Sequence, residues 1–237
     1  MLLMARRLVL ALLCLILPGL AHAQAKDAED SLSSVFRRVL NTVATASHLA
    51  RLDSAALPPG VTREIRVYIG FGLGQPERMI RVWQDTAGTH GAFGLFWKLA
   101  ERLVGPGADA RDTADLRAFD THMRIFADSV YGCNQFARAE FTQVCWLPPQ
   151  TTDDWPQLLA RLDAESINAV PRWSPPPGLP QMIMRDGWGI VVELRTRQGY
   201  RIYDYQNPSD HSADPGIRAA AVVADIINAA WTRRLGK

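Results

Sequence analysis

The stretch Glu64-Ile65-Arg66-Val67-Tyr68-Ile69 decides the fold class, because apolar side chains at 65, 67 and 69 alternate with polar or amphipathic ones at 64, 66 and 68. Successive side chains of a strand point to opposite sheet faces, so this period of two predicts a β-strand with one face inward. Residues 78–84 repeat the pattern, with Ile80 and Val82 inward and Arg81 and Trp83 on the other face. Phe93, Leu95 and Trp97 mark a third strand. The connections at 70–76 and 85–91 are rich in turn residues, so the three strands are expected as an antiparallel meander.

On either side of this block the period changes to that of a helix. Upstream, Leu32, Val35, Phe36, Val39, Leu40 and Val43 form one apolar stripe in a helix spanning 27–50. Asp27, Glu29 and Asp30 stand at its start, where the helix dipole favours acids. Downstream, Leu116, Phe119, Met123, Phe126 and Val130 predict a helix over 113–131, followed by a loop bearing two cysteines. A shorter helix begins at Trp155 with Leu158, Leu159 and Leu162 inward.

The C-terminal segment returns to strands. Asp186-Gly187 signals a tight turn, Trp188, Ile190, Val192 and Leu194 alternate, and residues 200–205 return after a turn at Gly199. Asp214-Pro215 supplies an N-cap and a proline at the first helical position of an Ala-rich last helix. The whole is expected as an α+β fold: an antiparallel sheet of two three-stranded meanders with segregated helices and one disulfide. The proline run at 175–180 is expected to strap across a single domain covering 24–237.

The first residues predict export. Arg6 and Arg7 precede an unbroken apolar run at 8–17, Pro18-Gly19 breaks it, and Ala21-His22-Ala23 offers a signal-peptidase site. Residues 1–23 are therefore expected to be a cleaved signal peptide, leaving Gln24 first in a periplasmic or secreted chain. The apolar run is about half the roughly 20 residues a membrane span requires, so no integral membrane segment is expected after cleavage.

Cleavage also changes the charge and the cysteine count. It takes two arginines and no acids from 26 Lys+Arg and 24 Asp+Glu, leaving 24 of each. Phosphate-backbone binding requires a basic stripe, and none stands in the sequence, so nucleic acid is not an expected partner. Cys14 leaves with the signal, and Cys133 with Cys145 then form an even pair in an oxidising compartment, expected as a disulfide. With no histidine between them they make a poor zinc site.

No motif with catalytic or cofactor chemistry stands out. Gly70-Phe71-Gly72-Leu73-Gly74 resembles a phosphate loop but leads into Pro76 and a strand, whereas such loops open a helix. His48, His90, His122 and His211 show no metal-ligand spacing, and no metal or cofactor is expected. Asp153-Asp154 and Asp163/Glu165 are acid pairs of the kind two-carboxylate hydrolases use, or a helix start and a solvated helix face. His211, flanked by Asp210 and followed by Asp214, is the histidine of most interest, with a solvated loop between strand and helix as the plainer reading.

Strand-borne aromatics beside arginines supply the candidate binding residues: Tyr68, Arg81, Trp83, Tyr203 and Tyr205. Rigid aromatics on an exposed sheet face make binding surfaces; packed under a helix, the same residues are core. Two blocks, Glu64–Leu73 with Pro76-Glu77-Arg78, and Tyr200-Arg201-Ile202-Tyr203-Asp204-Tyr205-Gln206-Asn207-Pro208, resemble a loose group of small secreted bacterial proteins of unassigned function. That resemblance implies a shared fold and no chemistry.

The functional expectation is a non-enzymatic binding role, as an inhibitor, an immunity-type protein or an envelope accessory factor. Its partner would be another protein or an envelope component. The alternative is a hydrolase acting on an envelope or extracellular substrate, its carboxylates and His211 brought together by the fold, since catalytic groups assemble from distant positions.

Overall fold

Residues 34–53, 56–70, 76–98, 110–171 and 188–236 are described by the computed structural model. The chain divides into two units, residues 1–38 and 39–237, and the first is described only over 34–38, the opening of a helix. The expected signal peptide, the proline strap, residues 71–75 of the glycine loop and the Asp186-Gly187 turn lie outside the described residues.

The alternating stretch forms β1 (Arg63–Gly70), paired antiparallel with β2 (Glu77–Asp85), which pairs antiparallel with β3 (Gly88–Lys98). The connection between β2 and β3 is shorter than the turn composition of 85–91 suggests. Thr86 and Ala87 alone make the reversal, because Asp85 Oδ1 accepts from the Ala87 and Gly88 N–H groups at 2.7 and 3.1 Å. Gly88 takes a φ of 142°, which a side chain would resist.

The expected cysteine loop is instead a hairpin of β4 (Ala137–Ala139) and β5 (Thr142–Trp146), reversed through Glu140 at a positive φ of 48°. β5 pairs with β3, from Gly94↔Trp146 to Lys98↔Thr142. On the other side β6 (Gly189–Thr196) pairs with β1, and β7 (Gly199–Gln206) with β6. Among the described residues the two strand groups are thus parts of one seven-stranded antiparallel sheet in the order β4-β5-β3-β2-β1-β6-β7. Only β6 and β7 of the second expected meander fall in the described residues.

One sheet face carries the main core. Ile65, Val67, Ile80, Val82, Leu95 and Val192 project into it, all at most 2% exposed. Three helices supply its other side: α2 (Ala110–Tyr131), α3 (Trp155–Ala164) and α4 (Pro215–Arg234). Met123, Leu158, Leu162, Val223 and Ala224 pack there. Phe93 anchors the contact, its ring 4.9 Å from both Trp155 and Trp231. Gly91 makes room for the Trp155 indole, since a Cβ at that position would penetrate the ring. The helix caps follow the sequence: Asp214 accepts from Gly216 and Ile217 N–H, and Asp154 from Gln157 N–H. Val130 departs from its expected inward stripe and is 39% exposed, while Ala127, one turn earlier, is buried.

The opposite face is covered by the later part of α1 (Ser34–Ala46), whose Thr42 hydroxyl lies 2.7 Å from that of Thr142 on β5. Tyr68 and Phe96 meet edge to face beneath it at 5.9 Å. Both sheet faces are therefore buried over much of their area, and no helix among the described residues is long and apolar enough to cross a membrane.

The disulfide joins Cys133, just past α2, to Cys145 on β5, with Cα atoms 6.2 Å apart and both residues 1% exposed. It ties a helix end to the β3 side of the sheet. Replacing both cysteines with alanine is expected to lower the unfolding free energy by about 3 kcal/mol through a freer unfolded chain. Urea denaturation of the variant against the oxidised parent measures this; an unchanged midpoint would deny the bond any stabilising role.

Candidate functional site on the second sheet face

Register sorts the polar residues of the second face into rows that cross the strands. One row runs His90, Trp83, Glu64, Arg195, Tyr200, and the next Ala92, Arg81, Arg66, Glu193, Ile202. A third holds Gly94, Met79, Tyr68, Val191 and Asp204. The third row, apolar but for Asp204 at its β7 end, lies with the buried Tyr68–Phe96 contact, and the first two concentrate charge at the end of the sheet where β1 begins.

Two carboxylates organise these rows. Glu64, 1% exposed, receives Arg81 bidentately, Nε to Oε1 at 2.7 Å and Nη2 to Oε2 at 3.1 Å. Arg66 donates to the same Oε1 at 2.8 Å and, through Nη2, to the Ala50 carbonyl at 2.8 Å, which holds the segment after α1 over the sheet. Burial pushes the Glu64 carboxyl up, but the Arg81 hydrogen bonds and the charges of Arg66 and Arg81 outweigh it and leave the carboxyl below its ordinary value. Glu193 accepts from two phenols, Tyr68 OH at 2.9 Å and Tyr200 OH at 3.0 Å. Here burial dominates: the carboxyl is pushed up, with the Arg66 charge and the tyrosine hydrogen bonds only partly offsetting it.

Burial and the neighbouring Glu193 also push both phenols well up. Each proton therefore stays on its tyrosine, and no phenolate nucleophile forms.

Towards the surface, Arg81 lies over the Trp83 ring at 4.3 Å, and the His90 ring stacks on the same indole at 5.5 Å and 24°. His90 Nε2 stands 3.0 Å from Asp85 Oδ1, and the Ala87 N–H chiefly, with His90, keeps the Asp85 carboxyl below its ordinary value. Arg195, half-buried, occupies the same row between Glu64 and Tyr200, and Arg197 is exposed in the adjoining turn. Neither pairs with a carboxylate among the described residues.

Of the sequence candidates, Arg81 and Trp83 lie together at the edge of this face, and Tyr68 sits beneath it at 1% exposure. Tyr203 and Tyr205 do not join them. The alternation of β7 turns both to the main core, at 0% and 3% exposure. Tyr205 OH donates to the Pro171 carbonyl, and its phenol is pushed up to about 12 by burial, with Asp214 and Asp204 nearby. Arg201 donates to the Asn168 and Val170 carbonyls, so this part of the block clamps the chain leaving α3. Asn207 closes the open end of the hairpin, accepting from Trp188 N–H and donating its own N–H to the Trp188 carbonyl.

The acid pairs and His211 have other surroundings. Asp153, its side chain 4% exposed, pairs with Arg234, whose guanidinium stacks 4.8 Å over Phe93. Asp163 pairs with Arg63 at 2.7 Å. His211 is 92% exposed with Asp210 at 3.5 Å. Among the described residues no group of three or more His, Cys, Asp or Glu stands where it could hold a metal ion.

Glu64, Arg66, Glu193, Arg195, Tyr200 and His90 were not evident as a group from sequence. One signal was there: charged strand residues out of phase with the apolar positions, Glu64 and Arg66 on β1 and Glu193 between Val192 and Leu194. A lone charge in a strand is ordinary on a solvated face, and only the register brings these together. The fold and site define an antiparallel α+β protein with a buried ionic seam opening on an arginine–aromatic rim. No protein-family model, curated protein or solved structure matches the chain.

Proposed function

We propose that the mature chain is an exported, non-enzymatic binding protein whose contact surface is the rim around Arg81, Trp83 and His90. The observation that carries this reading is the stack itself. Its cation is gripped by the buried Glu64 and its imidazole is held by Asp85, so the indole rests against two neighbours that are themselves fixed. A partner meeting a pre-positioned aromatic loses little conformational entropy on contact, and such residues commonly dominate binding. The candidate acids, by contrast, have structural employment: Asp153 in a buried ion pair, Asp154 as a helix cap and Asp163 in a bridge to β1. That favours binding over the hydrolase alternative.

The test replaces Trp83 with alanine and uses the immobilised mature chain to capture proteins from a periplasmic extract of its own host. Expected is a discrete partner held by the parent and lost from Trp83→Ala, at a cost in binding of about 2 kcal/mol or more. The melting temperature should fall by no more than a few degrees, since Trp83 is only half-buried. Equal capture by both proteins, or a collapse of the variant's fold, would remove the rim as the working surface.

A further inference from the structure

We infer that the rim receives an extended acidic segment of a partner protein, seated with a carboxylate on Arg195 and an apolar side chain against Trp83. The inference rests on the binding reading above and names its partner's chemistry. Within the two charged rows every other ionic side chain is already matched: Arg81 and Arg66 on Glu64, Glu193 between Tyr68 and Tyr200. Arg195 is left half-buried with no carboxylate among the described residues, and Arg197 follows it in the turn. The local surplus is therefore positive and is positioned by strands rather than by a loop.

Geometry narrows the ligand further. Trp83, Glu64 and Arg195 occupy one row on adjacent strands β2, β1 and β6. Neighbouring strands lie about 4.8 Å apart, so Trp83 and Arg195 are about 10 Å apart, and a peptide in the extended polyproline II form advances about 3.1 Å per residue with about three residues per turn, which returns every third side chain to the same face. A segment crossing the strands reaches both when its acid and its apolar residue stand three positions apart. Glu64 lies beneath the path and is already paired, so it does not repel the incoming carboxylate as a free charge would. Two uncompensated arginines on a chain with balanced mature charge suit one or two carboxylates rather than a polyphosphate backbone, which calls for a longer basic stripe.

Fluorescence anisotropy of the full mature chain with labelled twelve-residue peptides tests this. The probe carries Asp-x-x-Phe in a Gly/Ser background; controls place Asp next to Phe or replace Asp with Lys. Expected is saturable binding of the Asp-x-x-Phe peptide, weakened about tenfold or more by Arg195→Glu and by Trp83→Ala. Arg117→Glu, on the exposed face of α2, should leave binding unchanged. Raising salt to 1 M should also weaken binding, as the screening length falls to about 3 Å. Equal binding of the Lys peptide, indifference to Arg195→Glu, or no peptide binding would overturn the inference. So would full displacement by millimolar inorganic phosphate or by anionic-lipid vesicles when the Asp-free peptide binds as well, since that marks a different class of anion. If extract capture still depends on Trp83 while the acidic peptide fails, the binding reading stands without this partner. If capture is also independent of Trp83, both fall.

Discussion

Replacing Glu64 with glutamine lowers the unfolding free energy by about 3–5 kcal/mol, the loss expected when one member of a buried ion pair is removed. Glu64 is the shared acceptor of Arg66 and Arg81, whose side chains are 4% and 19% exposed, so the variant leaves two desolvated guanidinium groups facing each other across β1 and β2. Arg66 also holds the Ala50 carbonyl, so the segment after α1 should loosen with it. The effect has a definite pH sign. The Glu64 carboxyl is depressed in the folded state, so its contribution is complete above its ordinary value of 4.5 and is lost as pH falls through the depressed value. Glu193, raised by burial, acts oppositely, favouring the fold as pH falls through its own raised value. Urea denaturation at several pH values should show the gap between parent and Glu64→Gln closing only in the acid range below about 4.5. A gap that is absent at neutral pH, or that widens as acid is added, would contradict the pairing.

Cutting Tyr203 to alanine costs about 3–5 kcal/mol, because a fully buried ring leaves a cavity in the main core. Tyr203→Phe should be close to neutral, or stabilise slightly. The buried Tyr203 hydroxyl has no hydrogen-bond partner among the described residues, so removing it discards an unsatisfied polar group while keeping the ring. Thermal unfolding of the two variants side by side distinguishes core from contact residue. A mild Tyr203→Ala paired with a costly Tyr203→Phe would place the hydroxyl in a network and the ring near the surface. The same pair of substitutions at Tyr68 should behave differently, since there the hydroxyl bonds Glu193 and its loss leaves that carboxyl one donor short.

The five strand-borne candidates illustrate how far a linear pattern reaches. Period two at 64–69 and 188–194 identified strands and their apolar sides, and Ile65, Val67, Ile80, Val82, Ile190, Val192 and Leu194 are all buried on strands. The same pattern cannot say whether the second side is wet. Tyr68 was legible as out of phase with the core, yet it is 1% exposed, with Phe96 against its ring and Glu193 on its hydroxyl. Tyr203 and Tyr205, sharing a phase with each other, face the main core because Tyr203 pairs with Val192 and Tyr205 with Ile190. Turn residues mislead where strands are short: the cysteine segment looks like a loop, but pairing with β3 makes a strand of residues 142–146.

Strands β1–β3, β6 and β7, the N-cap at Asp214, the inward face of α3 and the pairing of Cys133 with Cys145 are consequences of local periodicity, capping chemistry and the count of cysteines beyond the N-terminal apolar run. These are properties of residues close together in the chain, or of composition, and so the sequence by itself determines them. Tertiary structure alone decided that β6 docks on β1, and with that choice placed Arg66 opposite Glu193 and set Arg195 beside Glu64. Those partners are more than a hundred positions apart across the β1–β6 pair. Side chains that far apart share a site only once the backbone hydrogen bonds of the sheet have fixed the register.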